Sequence, residues 1–202
     1  MRRIFFLASI LVATAALGGC GDDEGSGGSG GSGAGGGGGG AGGEAPGEDP
    51  QTPPAGPASA VEAWLGNGHY EQWNCEAAVH GPIDISPHGM QRICSNDKVS
   101  GHAGPGEYPV GSAGVKELYD AAGANIVGYA VYVHTKAGTM GDTWYWYEKV
   151  PLDHPAPHDE NGIVADGLGN SGPAKDICVS CHSAAGIDAD HPGHDFVYTQ
   201  VQ

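Results

Sequence analysis

Basic residues are scarce in this 202-residue chain: eight Lys and Arg stand against 24 Asp and Glu, for a formal net charge of −16. A surface of that sign repels phosphate backbones and anionic lipid headgroups, which excludes nucleic acid and an electrostatically held membrane as partners. It suits an exported domain kept soluble by charge, and a basic redox partner protein. Methionine is nearly missing, with Met90 and Met140 the sole examples beyond Met1. Long apolar runs are missing after Leu17. Large apolar side chains are almost lacking from residues 21–58, which are dominated by Gly with Ser, Pro and acidic residues.

Each absence divides the chain. The start, "MRRIFFLASILVATAALGGC", has a charged pair, Arg2 and Arg3, then an apolar stretch from Ile4 to Leu17. That stretch is short for a bilayer span and ends in small residues, as a secretory signal does. "LGGC", Leu17 to Cys20, resembles the bacterial lipobox, in which the cysteine is lipidated and becomes the mature N-terminus. Residues 1–20 therefore read as a lipoprotein signal, with lipid on Cys20 as an anchor rather than a span. An ordinary cleaved signal with an incidental cysteine is the alternative. The expected location is the bacterial cell envelope, and Gly21 after the cysteine favours the outer membrane. Residues 21–58 cannot bury enough surface to offset chain entropy and read as a disordered tether with an r.m.s. reach of roughly 35 Å. Residues 59–202 amount to one domain.

Five cysteines remain to be sorted. With Cys20 assigned to lipid, Cys75 and Cys94 are expected to pair in a disulfide-permissive compartment. They close a loop of about 20 residues, worth roughly 3 kcal/mol in the chain-entropy model. Cys178, Cys181 and His182 form the sequence "CVSCH". This is the spacing of c-type haem attachment: two thiols form thioethers and the adjacent imidazole serves as an axial ligand to iron. One covalent haem c held by Cys178, Cys181 and His182 is the expectation, and export favours it. A zinc site with His191 or His194 as further ligands is an alternative. A redox dithiol is another, but it needs a strand and helix in a βαβ unit, and "ENGIVADGLGNSGPAKD" upstream reads as loop. Met90 and Met140 both precede the motif in turn-like surroundings, so the sequence leans towards an open sixth position, where chemistry or gas binding occurs.

The scaffold reads as strand-rich. Residues 125–136, "NIVGYAVYVHTK", and 142–150, "DTWYWYEKV", are β-branched and aromatic runs joined as a hairpin. "GMQRICSND" and "AGVKELYD" predict two more strands. A helix is expected over Ala58 to Trp73 with Ser59 as N-cap, and a second, short helix should carry the haem cysteines. The aromatics at 144–147 decide nothing by themselves, because alternating aromatics pack cores. The class is α+β, an antiparallel sheet with a few flanking helices, which argues against an all-helical four-helix cytochrome.

Several segments together resemble the cytochrome P-460 / cytochrome c′-beta family. They are "GEYPVGSAGVKELYD", "GYAVYVHTK", "GDTWYWYEKV", "HGMQRICSND", and the terminal "ICVSCHSAAGIDADHPGHDFVYTQV" with its Asp, aromatic and Thr after the haem motif. They cover most of residues 80–202. The resemblance implies a curved antiparallel sheet, a homodimer, and a five-coordinate haem with a free distal side. It implies one of two chemistries. P-460 members carry a lysine bonded to the haem and oxidise hydroxylamine; c′-beta members lack that bond and bind nitric oxide or similar gases. The matching lysine is Lys116 in "GVKEL". On a strand, Gly114, Lys116 and Leu118 share one face, so Lys116 can face a haem that Gly114 lets approach. A surface lysine on an edge strand is the alternative. The family's distal carboxylate precedes the haem motif, where this chain offers Asp176 and Asp166 as candidate proton acceptors, neither aligned with that pattern. The loop containing His191 and His194 is long for the family, and those histidines read as solvated. A plain electron-transfer cytochrome c is the remaining reading.

Overall fold

The computed structural model describes residues 49–82, 86–186 and 193–202. The proposed signal, Cys20, most of the tether and His191 lie outside them. Six strands form one open sheet in the order β1–β6, each antiparallel to the next. They are β1 Asn74–Cys75, β2 Gln91–Ser95, β3 Ala113–Tyr119, β4 Ile126–His134, β5 Trp144–Lys149 and β6 Ile163–Leu168. With α1 Ala58–Gly66 and α2 Asp97–Ser100, the class is α+β as expected. Among the described residues no helix is long and apolar enough to cross a membrane.

Both faces of the sheet are covered, and strand alternation assigns each side chain to one of them. On one face Val115, Val131, Val133, Tyr145 and Tyr147 pack against Val61, Trp64 and Leu65 of α1. On the other, Trp144, Trp146 and Ala165 pack against Ala174, Cys178 and Val197. β5 shows the rule directly, because its tryptophans and tyrosines go to opposite cores. Cys75 and Cys94 face each other across β1 and β2 and are joined by a disulfide, as the sequence predicts.

Four expectations are corrected. The helix from Ala58 stops at Gly66; Gly68, at φ 69°, turns the chain into a separate 3₁₀ turn, His69–Gln72. Ser59 is not its cap: Pro57 occupies that position, and the Asp166 carboxylate on β6 accepts the Ala58 N–H at 2.8 Å. The segment read as loop contains β6, which pairs with β5 along one edge of the sheet. The folded unit also begins before residue 59. Trp64 and Trp73 donate from their indole nitrogens to the carbonyls of Asp49 and Pro50, and Asn96 donates to Gln51. These hydrogen bonds hold residues 49–51 against the domain.

Candidate functional site

The terminal helix is built on glycine. After β6 the chain turns at Pro173 into a wide π-type helix, Ala174–Val179, which runs into the short α3, Ser180–His182. Ala174 and Cys178, four residues apart, point into the core beside Trp144 and Trp146. Val179 rests on Gly141 and Gly169, where a Cβ would collide with its methyl groups. Close approach at these two glycines sets the helix on the ends of β5 and β6.

Beneath it, one row of side chains crosses four strands in register: Ile93, Lys116, Ala130 and Glu148. Lys116 and Glu148 are separated by the small Ala130, so their backbones stand two strand spacings, roughly 10 Å, apart. This row floors a largely apolar pocket, the usual character of a ligand or cofactor site. Ile177, Cys178, Cys181 and His182 form its roof; His88 and Tyr198 line its sides. Sequence reasoning named the Cys178, Cys181, His182 motif and, apart from it, Lys116, and the fold brings all four to this pocket.

The chemistry of each group follows from its surroundings. His182 donates from Nδ1 to the carbonyl of Phe196 at 2.7 Å, with the Trp146 and Tyr198 rings at 4.7 and 5.3 Å. A carbonyl can only accept, so the proton sits on Nδ1 and Nε2 keeps its lone pair. Burial, aided by Lys116 and His88, pushes the imidazole down to about 3, so it is neutral near pH 7. Burial, then Glu148, raises the Cys178 thiol to about 12. The same desolvation lowers Lys116 to about 8, against the opposing pull of Glu148. Glu148 is buried, and its Oε1 lies 3.3 Å from Nδ1 of His88, which is also nearly buried.

Other candidates lie elsewhere. Asp176 is exposed and outside the pocket. Asp166 accepts hydrogen bonds from Ala58 N–H and the Tyr145 hydroxyl on the opposite face, where it holds α1. The carboxylate in the pocket is Glu148, which the sequence reading passed over. Its parity with Trp144 and Trp146 was the available signal. His88 lies in irregular chain and gave no signal. Met140 is 68 % exposed and Met90 packs beside Gly123; neither lines the pocket. Gly114 makes room for the cross-strand Tyr132 ring. His194 stacks on Tyr108 at 4.6 Å, away from the pocket.

These positions discriminate among the chemistries of the Cys-x-x-Cys-His motif. Among the described residues no three His, Cys, Asp or Glu side chains are grouped to hold a metal ion, and His191 of the zinc alternative lies outside them. β6 does supply a strand before the helix, contrary to the loop reading, but among the described residues every strand pairing is antiparallel, which a βαβ unit does not allow. The raised Cys178 thiol is also opposite to an activated redox cysteine. A c-type haem asks for two thiols, one neutral imidazole with a free nitrogen, and an apolar cleft. The side chains around this pocket fit that requirement, and buried polar atoms in its lining, Gln91 Oε1 and Trp146 Nε1 among them, have no hydrogen-bond partner. No family model matches the chain, and searches of curated proteins and of solved structures return no significant match.

Proposed function

We propose that this chain is an exported, lipid-anchored monohaem c-type cytochrome of P-460-like type, with an open distal site that oxidises hydroxylamine or a related small nitrogen species. The observation that carries the reading is the meeting of Cys178, Cys181, His182 and Lys116 around one apolar pocket that also holds a buried carboxylate. Cys178 and Cys181 would hold the haem as thioethers and His182 Nε2 would ligate its iron. When bound, the haem supplies an electron sink for a substrate nitrogen. The chain's own work is to exclude water with Ile93, Ala130 and Ile177, and to take a proton. Glu148 is suited to accept it, with His88 beside it stabilising the carboxylate. Lys116, brought towards neutrality by burial, is the residue that would carry a haem crosslink. The curved sheet, the homodimer and a basic redox partner protein accompany this reading.

The apolar lining favours a second reading, capture of nitric oxide or a similar gas without turnover, as in c′-beta proteins. One experiment separates the readings: production with haem maturation, then absorption spectra of the ferric and dithionite-reduced protein and an assay of hydroxylamine-dependent electron transfer to a dye. Covalent haem with a red-shifted ferrous Soret band and turnover supports the enzyme. An ordinary c-type, high-spin ferrous spectrum without turnover supports gas binding. A six-coordinate, low-spin spectrum makes the protein an electron carrier, and absence of covalent haem overturns all three.

A further inference from the structure

Among the described residues, the non-glycine residues with positive φ are two neighbours, Asp195 at 45° and Phe196 at 68°. Val197 N–H closes back onto the His194 carbonyl at 2.8 Å. Residues 194–197 are therefore a type I′ β-turn, whose two central positions call for Asn, Asp or Gly. Asp195 suits the first. Phe196 is a poor choice for the second, since a bulky residue in the left-handed region is sterically strained. The surroundings hold it there: its ring meets Trp146 edge-on at 6.4 Å, and the Asp195 carboxylate accepts the Tyr108 N–H at 3.0 Å.

The purpose of this conformation lies in what the turn presents. The Phe196 carbonyl is the acceptor for His182 Nδ1. We propose that Asp195 is a positioning residue for the proximal histidine: by pinning the turn to Tyr108 it aims the Phe196 carbonyl at His182, fixes the Nδ1–H tautomer and strengthens the imidazole as a ligand. Two links, Tyr108 N–H to Asp195 and Phe196 C=O to His182 Nδ1, join the 105–110 loop to the candidate iron ligand. Hydrogen-bonded partners of this kind orient a ligating imidazole and raise its basicity. This inference rests on the haem reading, and it assigns a role to the Asp-aromatic pair that follows the haem motif.

The test is resonance Raman spectroscopy of the ferrous holoprotein, in which the iron–imidazole stretching frequency falls as the Nδ1 hydrogen bond weakens. D195A removes the acceptor and disfavours the turn. D195G removes the acceptor but tolerates positive φ, so it keeps the question open if D195A fails to fold. D195N retains both an acceptor oxygen and the conformation. The expected result is a lower frequency in D195A and D195G, with D195N at the wild-type value. An unchanged frequency in D195G overturns the proposal. If the wild-type protein carries no covalent haem, the functional reading falls by itself. The clamp is then read from the ¹⁵N shifts of the His182 ring: loss of the Nδ1–H tautomer in D195G supports it, and an unchanged tautomer overturns it.

Discussion

Glu148 and Lys116 face the same pocket from neighbouring positions in one cross-sheet row, with only Ala130 between them, and His88 lies 3.3 Å from the Glu148 carboxylate. A buried carboxylate, a lysine of lowered basicity and an imidazole thus gather beneath the Cys-x-x-Cys-His helix. Gathering three ionisable groups in an apolar pocket is costly unless they are paired or used, and their common location makes them the groups to test first.

If Glu148 accepts the substrate proton, E148Q removes the base while keeping the shape. Hydroxylamine-dependent turnover is predicted to fall by about 10²- to 10⁴-fold, the usual contribution of general-base catalysis. Covalent haem content and the ferrous spectrum should be unchanged. Steady-state kinetics beside a pyridine haemochrome assay give both quantities, and turnover near the wild-type level would remove Glu148 from the mechanism.

Lys116 is tested by K116M, which keeps the apolar stem and discards the amine. The predicted outcome is a ferrous Soret band at the ordinary c-type position, with haem still attached through Cys178 and Cys181. Mass spectrometry of haem-bearing peptides supplies a direct check. In the wild type the segment around Lys116 should travel with the 178–182 segment, and in K116M the two should separate. Separation of the segments in the wild type too would show that there is no crosslink.

The opposite face of β3 predicts an acid response independent of haem. Glu117 is buried; burial alone would raise its pKa, but hydrogen bonds from Arg92, Tyr119 and Tyr70 outweigh that and hold it below the ordinary value. A carboxylate depressed in the folded state contributes stability that is full above its unfolded pKa and is lost as pH falls through the folded one. Arg92 is partly exposed, so R92M is expected to cost about 2–4 kcal/mol at neutral pH, between an exposed and a buried pair. The difference from wild type should shrink below about pH 4 as Glu117 protonates. Denaturant titrations of both proteins across this range measure it, and a pH-independent difference would mean that Arg92 acts through packing.

Local patterns carried much of the fold into the sequence. The β4 and β5 strands announce themselves through β-branched and aromatic residues at period two, and the Cys-x-x-Cys-His motif lies within five residues. What escaped is physically distinct. Ile163 to Leu168 includes Asp166 and Gly167, and as an edge strand it needs only one paired side, so its composition resembles a loop. Glu148 escaped because a carboxylate beside Lys149 reads as a solvent-facing charge until both faces of the sheet are seen to be covered. Asp176 is a candidate only by its nearness in sequence to Cys178, and on the helix it is exposed. The long-range meeting of His88 with Glu148 has no local signature at all.

The glycine seat of the haem-motif helix gives the last prediction, and it connects packing to the site. A methyl group at Gly141 would stand 2.5 Å from a Val179 methyl, too near for either to remain in place. Gly169 shuts off one direction of relief, because it already meets both Gly141 and Val179. In G141A the helix must therefore lift or tilt, and overpacking of this kind costs about 1–3 kcal/mol. Val179 lies between Cys178 and Cys181, so the movement reaches both thiols and His182. The expected outcome is a lower yield of covalent haem and a weakened iron–imidazole bond, with the α1 side of the sheet intact. V179A in the same chain should relieve the clash and restore attachment. G141A with wild-type haem content and spectrum would show that the helix is positioned by the Ala174 and Cys178 contacts alone.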